Sequence, residues 1–267
     1  TVTLTDLPSY CSVTAETVEV LEGATADVTV GAACDIPESE LDGTVTASVA
    51  GAGGAEPEDA FGLNLDGVLK SGVAPGDETI VDGIEPSRPA ALLLTRVEDR
   101  CRVTNENPVV LDPDASASPL SVEFTTECTD TQIDTVDGGI TTSAFPVEAA
   151  FVEDADTEEP LRLTGPVADD LVQLAGANVR VWGVRAGTSL EVYGYEIRSS
   201  LGEPRWIGVL LERDGVLWLM GESAIELVDP PPDLSSRVGA VVWVGGDEVE
   251  IDSVVPRVYG VIRGAGS

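Results

Sequence analysis

The 267-residue sequence contains no histidine and a single lysine, Lys70. Without an imidazole, Ser-His-Asp and Cys-His nucleophiles are excluded, and the commonest general base goes with them. The four cysteines show no Cys-x-x-Cys spacing, so a zinc site is not expected. No run of eighteen apolar residues occurs, nor a positively charged leader before an apolar stretch; neither a membrane span nor a signal peptide is expected within these residues. Gly51-Ala-Gly-Gly54 lacks the following helix and lysine of a phosphate cradle. Long helical patterns are also missing, while glycine (28) and proline (17) are plentiful, the profile of an all-β protein with many turns. Positive charge is scarce: 14 basic residues stand against 48 acidic ones, a formal net charge of −34. A nucleic-acid partner is therefore not expected, because phosphate binding needs a basic footprint. Few lysines and many carboxylates suit high salt; a GC-rich coding bias would also replace Lys by Arg.

What is present is repetition. Leu4-Thr5, Cys11-Ser-Val13-Thr14, Val18, Val20, Val28-x-Val30 and Cys34 return about ninety residues later. The second copy reads Leu94-Thr95, Cys101-Arg-Val103-Thr104, Val109, Leu111, Val122-x-Phe124 and Cys128, and strand-like sequence from Gly43 to Leu93 precedes it. Residues 1–40 thus correspond to the C-terminal half of a unit whose full length is 41–130. A half-repeat leaves strand edges and an apolar face (Val2, Leu4, Val18, Val20, Val28, Val30) to be covered. Three coverings are open: upstream residues of a longer parent chain, strands of another copy as in donor-strand assemblies, or residues 41–128 of the same chain. The cysteines fall in equivalent places, which reads as two disulfides, Cys11–Cys34 and Cys101–Cys128. Each would contribute about 2–4 kcal/mol and place the protein outside the cytosol. The competing reading is four reduced, buried cysteines.

Residues 41–130 read as one β-sandwich. Thr44–Val49 alternates, Phe61–Leu65 leads to the turn signal Asp66-Gly67, and Ala91–Leu94 has the composition of a buried strand. Seven short strands with turns every eight to twelve residues suggest an immunoglobulin-like fold. Asp66-Gly67, Leu94-Thr95, Cys101-x-Val103, Pro108-Val109 and Val122-x-Phe124-x-x-x-Cys128 give this stretch its resemblance to the small Ig-like or PEGA-like repeats of exported bacterial surface proteins. That resemblance covers 41–128 in full and 1–34 as a half.

A second repeat follows. Leu171-Val-Gln-Leu-Ala-Gly176-Ala177-Asn-Val179-Arg-Val181-Trp-Gly183 aligns without gaps to Leu234-Ser-Ser-Arg-Val-Gly239-Ala240-Val-Val242-Trp-Val244-Gly-Gly246. Two units result, 131–200 and 201–267, each reading as three strands, a helical turn and two strands, with Gly176 and Gly239 at the helix ends. Five strands with one helical turn suggest two tandem OB-like barrels. The pattern is similar to the OB-fold-like repeats of exported bacterial proteins and lipoproteins, families that imply little about ligands.

Two site readings follow. Trp182, Trp243 and Tyr193 are candidates for stacking a ligand on an OB sheet face, against a packing role between units. Trp182 and Trp243 fall at different repeat positions, which argues against one repeated binding face. Glu153, Asp154, Asp156 and Glu158 have carboxylates at the spacing of hard-oxygen ligands and are a calcium candidate, against a solvated loop; no other cofactor is implied. The functional expectation is a non-enzymatic structural subunit or segment of an extracellular or cell-surface assembly, its partners being copies of itself or a longer parent chain. The alternative is a glycan- or protein-binding module of the cell envelope.

Overall fold

The computed structural model describes residues 11–14, 31–34, 43–51, 55, 57–85, 88–112, 120–143, 150–153, 160–199 and 205–265. Their regular secondary structure is almost entirely β-strand. Strands β1 (Cys11–Thr14) and β2 (Gly31–Cys34) form an antiparallel pair in which Cys11 lies opposite Cys34.

Residues 43–128 fold as a sandwich of two four-stranded sheets. The strands are β3 (Gly43–Gly51), β4 (Phe61–Leu65), β5 (Val68–Val73), β6 (Glu78–Ile84), β7 (Ala90–Thr95), β8 (Cys101–Val103), β9 (Val109–Leu111) and β10 (Leu120–Cys128). One sheet runs β6-β3-β10-β8 and the other β5-β4-β7-β9. Period-2 alternation turns Val45, Ala47, Val49, Val122 and Phe124 inward against Phe61, Leu63, Leu65, Leu92 and Leu94. The sandwich has eight strands where the sequence suggested seven. The eighth is β5, whose turn-like composition hides an edge strand carrying Lys70 at a bulge between the pairs Leu63↔Ser71 and Asn64↔Leu69. The connectivity is this unit's own: β3 and β4 lie in different sheets, and β3 pairs with the last strand, β10, in parallel. In an immunoglobulin domain the first two strands share a sheet.

The next two units are closed five-stranded barrels of identical topology. The first contains β11 (Asp134–Thr142), β12 (Ala150–Val152), β13 (Leu161–Thr164), the short helix α1 (Ala168–Val172), β14 (Asn178–Ala186) and β15 (Ser189–Ser199). The second contains β16 (Arg205–Arg213), β17 (Val216–Met220), β18 (Ala224–Leu227), a 3-10 turn (Leu234–Arg237), β19 (Val241–Glu250) and β20 (Ser253–Arg263). In each, the third and fifth strands are parallel and all other neighbours antiparallel, the arrangement of an OB barrel. Val179, Val181, Val242 and Val244 point inward, and Leu171 and Leu234, both fully buried, plug their barrels from the helical turn. Gly176 (φ +87°) and Gly239 (φ +85°) end those turns in the left-handed region, where a side chain would be strained.

Apolar seams join the units. Ala91 and Val110 of the sandwich pack with Val209, Leu211 and Met220 of the second barrel. Val241 and Ile262 of the second barrel belong to the same buried cluster as the core of the first.

Candidate functional site

Three arginines with buried or half-buried side chains, Arg102, Arg213 and Arg263, carry charge across the junctions between units. Arg102 projects from β8, its side chain 7% exposed. It donates through Nη2 and Nε to Glu127 Oε2 at 2.7 and 3.1 Å, within the sandwich. Its Nη1 lies 2.8 Å from Glu191 Oε1 of the first barrel, and the guanidinium sits 4.6 Å from the centroid of Tyr193. Burial works against the charge on Arg102, but the hydrogen bonds it donates to Glu127 and its pairing with Glu191 outweigh it and hold the guanidinium above its usual pKa. Gly165 (φ +93°) completes the seat: a Cβ there would meet Arg102 Nη1 at 3.2 Å.

Arg213 joins the second barrel to the sandwich. Its guanidinium lies 2.6 Å from Asp66 Oδ1 and donates to the Pro89 carbonyl at 2.7 and 3.1 Å. Asp66 and Gly67 form the left-handed two-residue turn between β4 and β5 (φ 52° and 78°). That turn presses against the second barrel so closely that a Cβ on Gly67 would stand 2.3 Å from the Ala224 nitrogen. Arg263 reaches both other units: Nη2 donates to the Asn107 carbonyl of the sandwich at 2.7 Å, and Nε lies 3.4 Å from Asp170 Oδ1 on α1. Burial pushes the Asp170 carboxyl above its ordinary pKa despite Arg263. Burial, followed by the charge of Asp170, likewise raises the Tyr195 hydroxyl.

The residues singled out in the sequence do not converge on one site. Cys101 and Cys128 form a disulfide between directly opposed positions of β8 and β10. Cys11 and Cys34 are opposed in the same way by the β1–β2 register. Val2, Leu4, Val18, Val20, Val28 and Val30 lie outside the described residues, and among those described β1 and β2 pair only with each other. Asp154, Asp156 and Glu158 also lie outside them. Glu153 is exposed and extends the β12 pairing through its backbone N–H. No group of three or more metal-binding side chains occurs among the described residues.

The aromatic candidates have internal partners. Trp182 lies across Gly194 and Trp243 across Gly260, each on the neighbouring strand; a Cβ on either glycine would fall 2.3–2.5 Å from the indole. Trp243 also packs against the seam between the barrels. Tyr193, offered above for ligand stacking, is 8% exposed and its ring carries Arg102 instead.

Arg102, Glu127 and Glu191 were missed by sequence reasoning. One signal could have found the first two: the repeat copies differ there, the pair Arg102↔Glu127 standing where the first copy has Ser12↔Ala33. Comparison with protein-family models, with curated proteins and with solved structures finds no match to this chain.

Proposed function

We propose that this chain is a non-enzymatic structural segment of an exported, cell-surface assembly made of serial β-modules. The observation that carries the reading is the β1–β2 strand pair, which reproduces the Cys101↔Cys128 pair of the sandwich and, among the described residues, has no further strand beside it. A two-stranded hairpin is marginally stable alone and gains from strand addition at its open edge. In the sandwich that place, beside β10, is held by β3 in parallel. A neighbouring copy supplies the corresponding strand to β2.

The unit junctions support a load-bearing role. Arg102, Arg213 and Arg263, from a scarce supply of positive charge, are each committed to a contact between units. The Cys101–Cys128 disulfide supports an oxidising compartment. No helix among the described residues is long and apolar enough to cross a membrane.

Negative-stain electron microscopy of the native material, with intact mass of the dissociated chain, tests the reading. Filaments or regular arrays are expected, and deletion of residues 1–34 should abolish them while the sandwich remains folded. Single particles, or assemblies indifferent to the deletion, overturn it.

A further inference from the structure

The two barrels share one topology, yet among the described residues only the first has the start of its fifth strand, Glu191 to Tyr193, paired with β8 of the sandwich. Gly183 and Gly246 fix the correspondence: each follows a bulge, and a Cβ on each would strike one carbonyl, that of Glu191 at 2.0 Å and of Val255 at 2.1 Å. Val255 of the second barrel therefore stands where Glu191 stands in the first, and Arg257 where Tyr193 stands. Asp229 (φ 46°) follows the third strand as Gly165 (φ 93°) does. The first barrel's seat is filled by β8 of the sandwich through Arg102.

In the second barrel Val255 is half-buried and Arg257 exposed, and among the described residues neither makes an ion pair to another unit. Arg257 is 60% exposed and pairs only along its own hairpin, with Asp247 at 2.8 Å. The hairpin tip carries Val249 (54% exposed) and Ile251 (88%), two of the five large apolar side chains exposed among the described residues. The first barrel's tip at the same place is Ala186-Gly187-Thr188, small and polar. The two aliphatic side chains at one tip offer exposed apolar area for a contact.

We infer that this surface of the second barrel, centred on Val255 and the Val249/Ile251 tip, is the seat for the β1–β2 hairpin of a second copy of the chain. The hairpin has the strand pair that fills the first barrel's seat, with Cys11↔Cys34 and Ser12↔Ala33 in the places of Cys101↔Cys128 and Arg102↔Glu127. The two substitutions match across the contact. Where the hairpin exchanges a charged pair for a small neutral one, the barrel exchanges Glu191 for Val255, so neither side buries an unpaired charge. The seat engages β1, leaving the edge of β2 that has no partner among the described residues for the strand addition proposed above. This inference rests on that structural reading and names the contact that propagates it.

Sedimentation velocity of the full chain, between about 0.1 and 1 M NaCl to screen the repulsion between acidic copies, tests it. Self-association is expected, weakened at least tenfold by Val249→Lys or Ile251→Lys, with circular dichroism unchanged because both side chains are exposed. Val255→Glu alone should weaken it too. Adding Ser12→Arg to Val255→Glu should restore it by rebuilding the ion pair of the first seat. Wild-type chains that stay monomeric overturn the inference, as does association unaffected by the tip variants. Filaments that persist in electron micrographs of Ile251→Lys would sink the seat and leave the structural reading standing; loss of all assembly in the wild type sinks both.

Discussion

Two side-chain contacts at the barrel–barrel seam have measurable consequences. Gly260 is required by the indole of Trp243, whose Nε1 would lie 2.5 Å from a Cβ at that position. Gly260→Ala is expected to cost about 1–3 kcal/mol by overpacking, in urea denaturation. In a Trp243→Ala background the same change should cost much less; an equal cost would show that the indole is not the obstacle. Asp170 gives the seam a pH dependence. Its folded-state pKa is raised, chiefly by burial, so the folded state holds the proton more tightly than the unfolded chain. The stability this contributes is present at low pH and is lost as pH rises from the ordinary aspartate value of about 4 through the raised one. Asp170→Asn should remove that decline. Melting temperature against pH for the two proteins should therefore diverge above about pH 4, and parallel curves would contradict the assignment.

Among the elements, β8 is the one on which most depends. It has three residues, yet it bears a cysteine of the disulfide and the arginine of the first junction. An edge strand this short cannot hold its register by main-chain bonds alone. The covalent link to β10 closes a loop of 27 residues, for which loop-closure entropy gives about 3.5 kcal/mol. The double variant Cys101→Ser/Cys128→Ser should lose about 2–4 kcal/mol in equilibrium urea unfolding; an unchanged midpoint would mean that packing alone fixes β8. At the opposite edge, β5 places the only lysine of the chain at a bulge, a combination that blunts an edge against strand addition.

Across the whole molecule the net charge of −34 opposes compaction. The cations that do pair are largely spent at unit junctions or on neighbouring strands, as in Arg180–Asp137, which leaves most carboxylates to repel one another. Melting temperature should therefore rise by several degrees between about 0.1 and 1 M NaCl, a range in which the screening length falls from about 10 to 3 Å. A flat or falling profile in differential scanning calorimetry would show that the carboxylates are already locally compensated.

Much of the architecture was legible because it rests on local rules. Asp66-Gly67 and Asp214-Gly215 are left-handed two-residue turns joining adjacent strands, and only a few residue types accept that backbone. Val179, Val181, Val242 and Val244 announced their inward faces by period-2 spacing, and Gly176 and Gly239 the ends of the helical turns. The composition of β5 did not announce a strand, because an exposed edge needs no apolar alternation. The junctions were not legible at all. Arg102 meets a partner 89 positions away in Glu191, and Arg213 one 147 positions away in Asp66, and no local pattern encodes such distances. The roles of the aromatic rings were decided in the same way: Trp182, Trp243 and Tyr193 stand on outward-facing positions in the sequence, and only the folded chain lays them against Gly194, Gly260 and Arg102. Strand, turn and barrel follow from the backbone preferences and polarity of near neighbours, whereas the contacts between units depend on surfaces that exist only once each unit has closed.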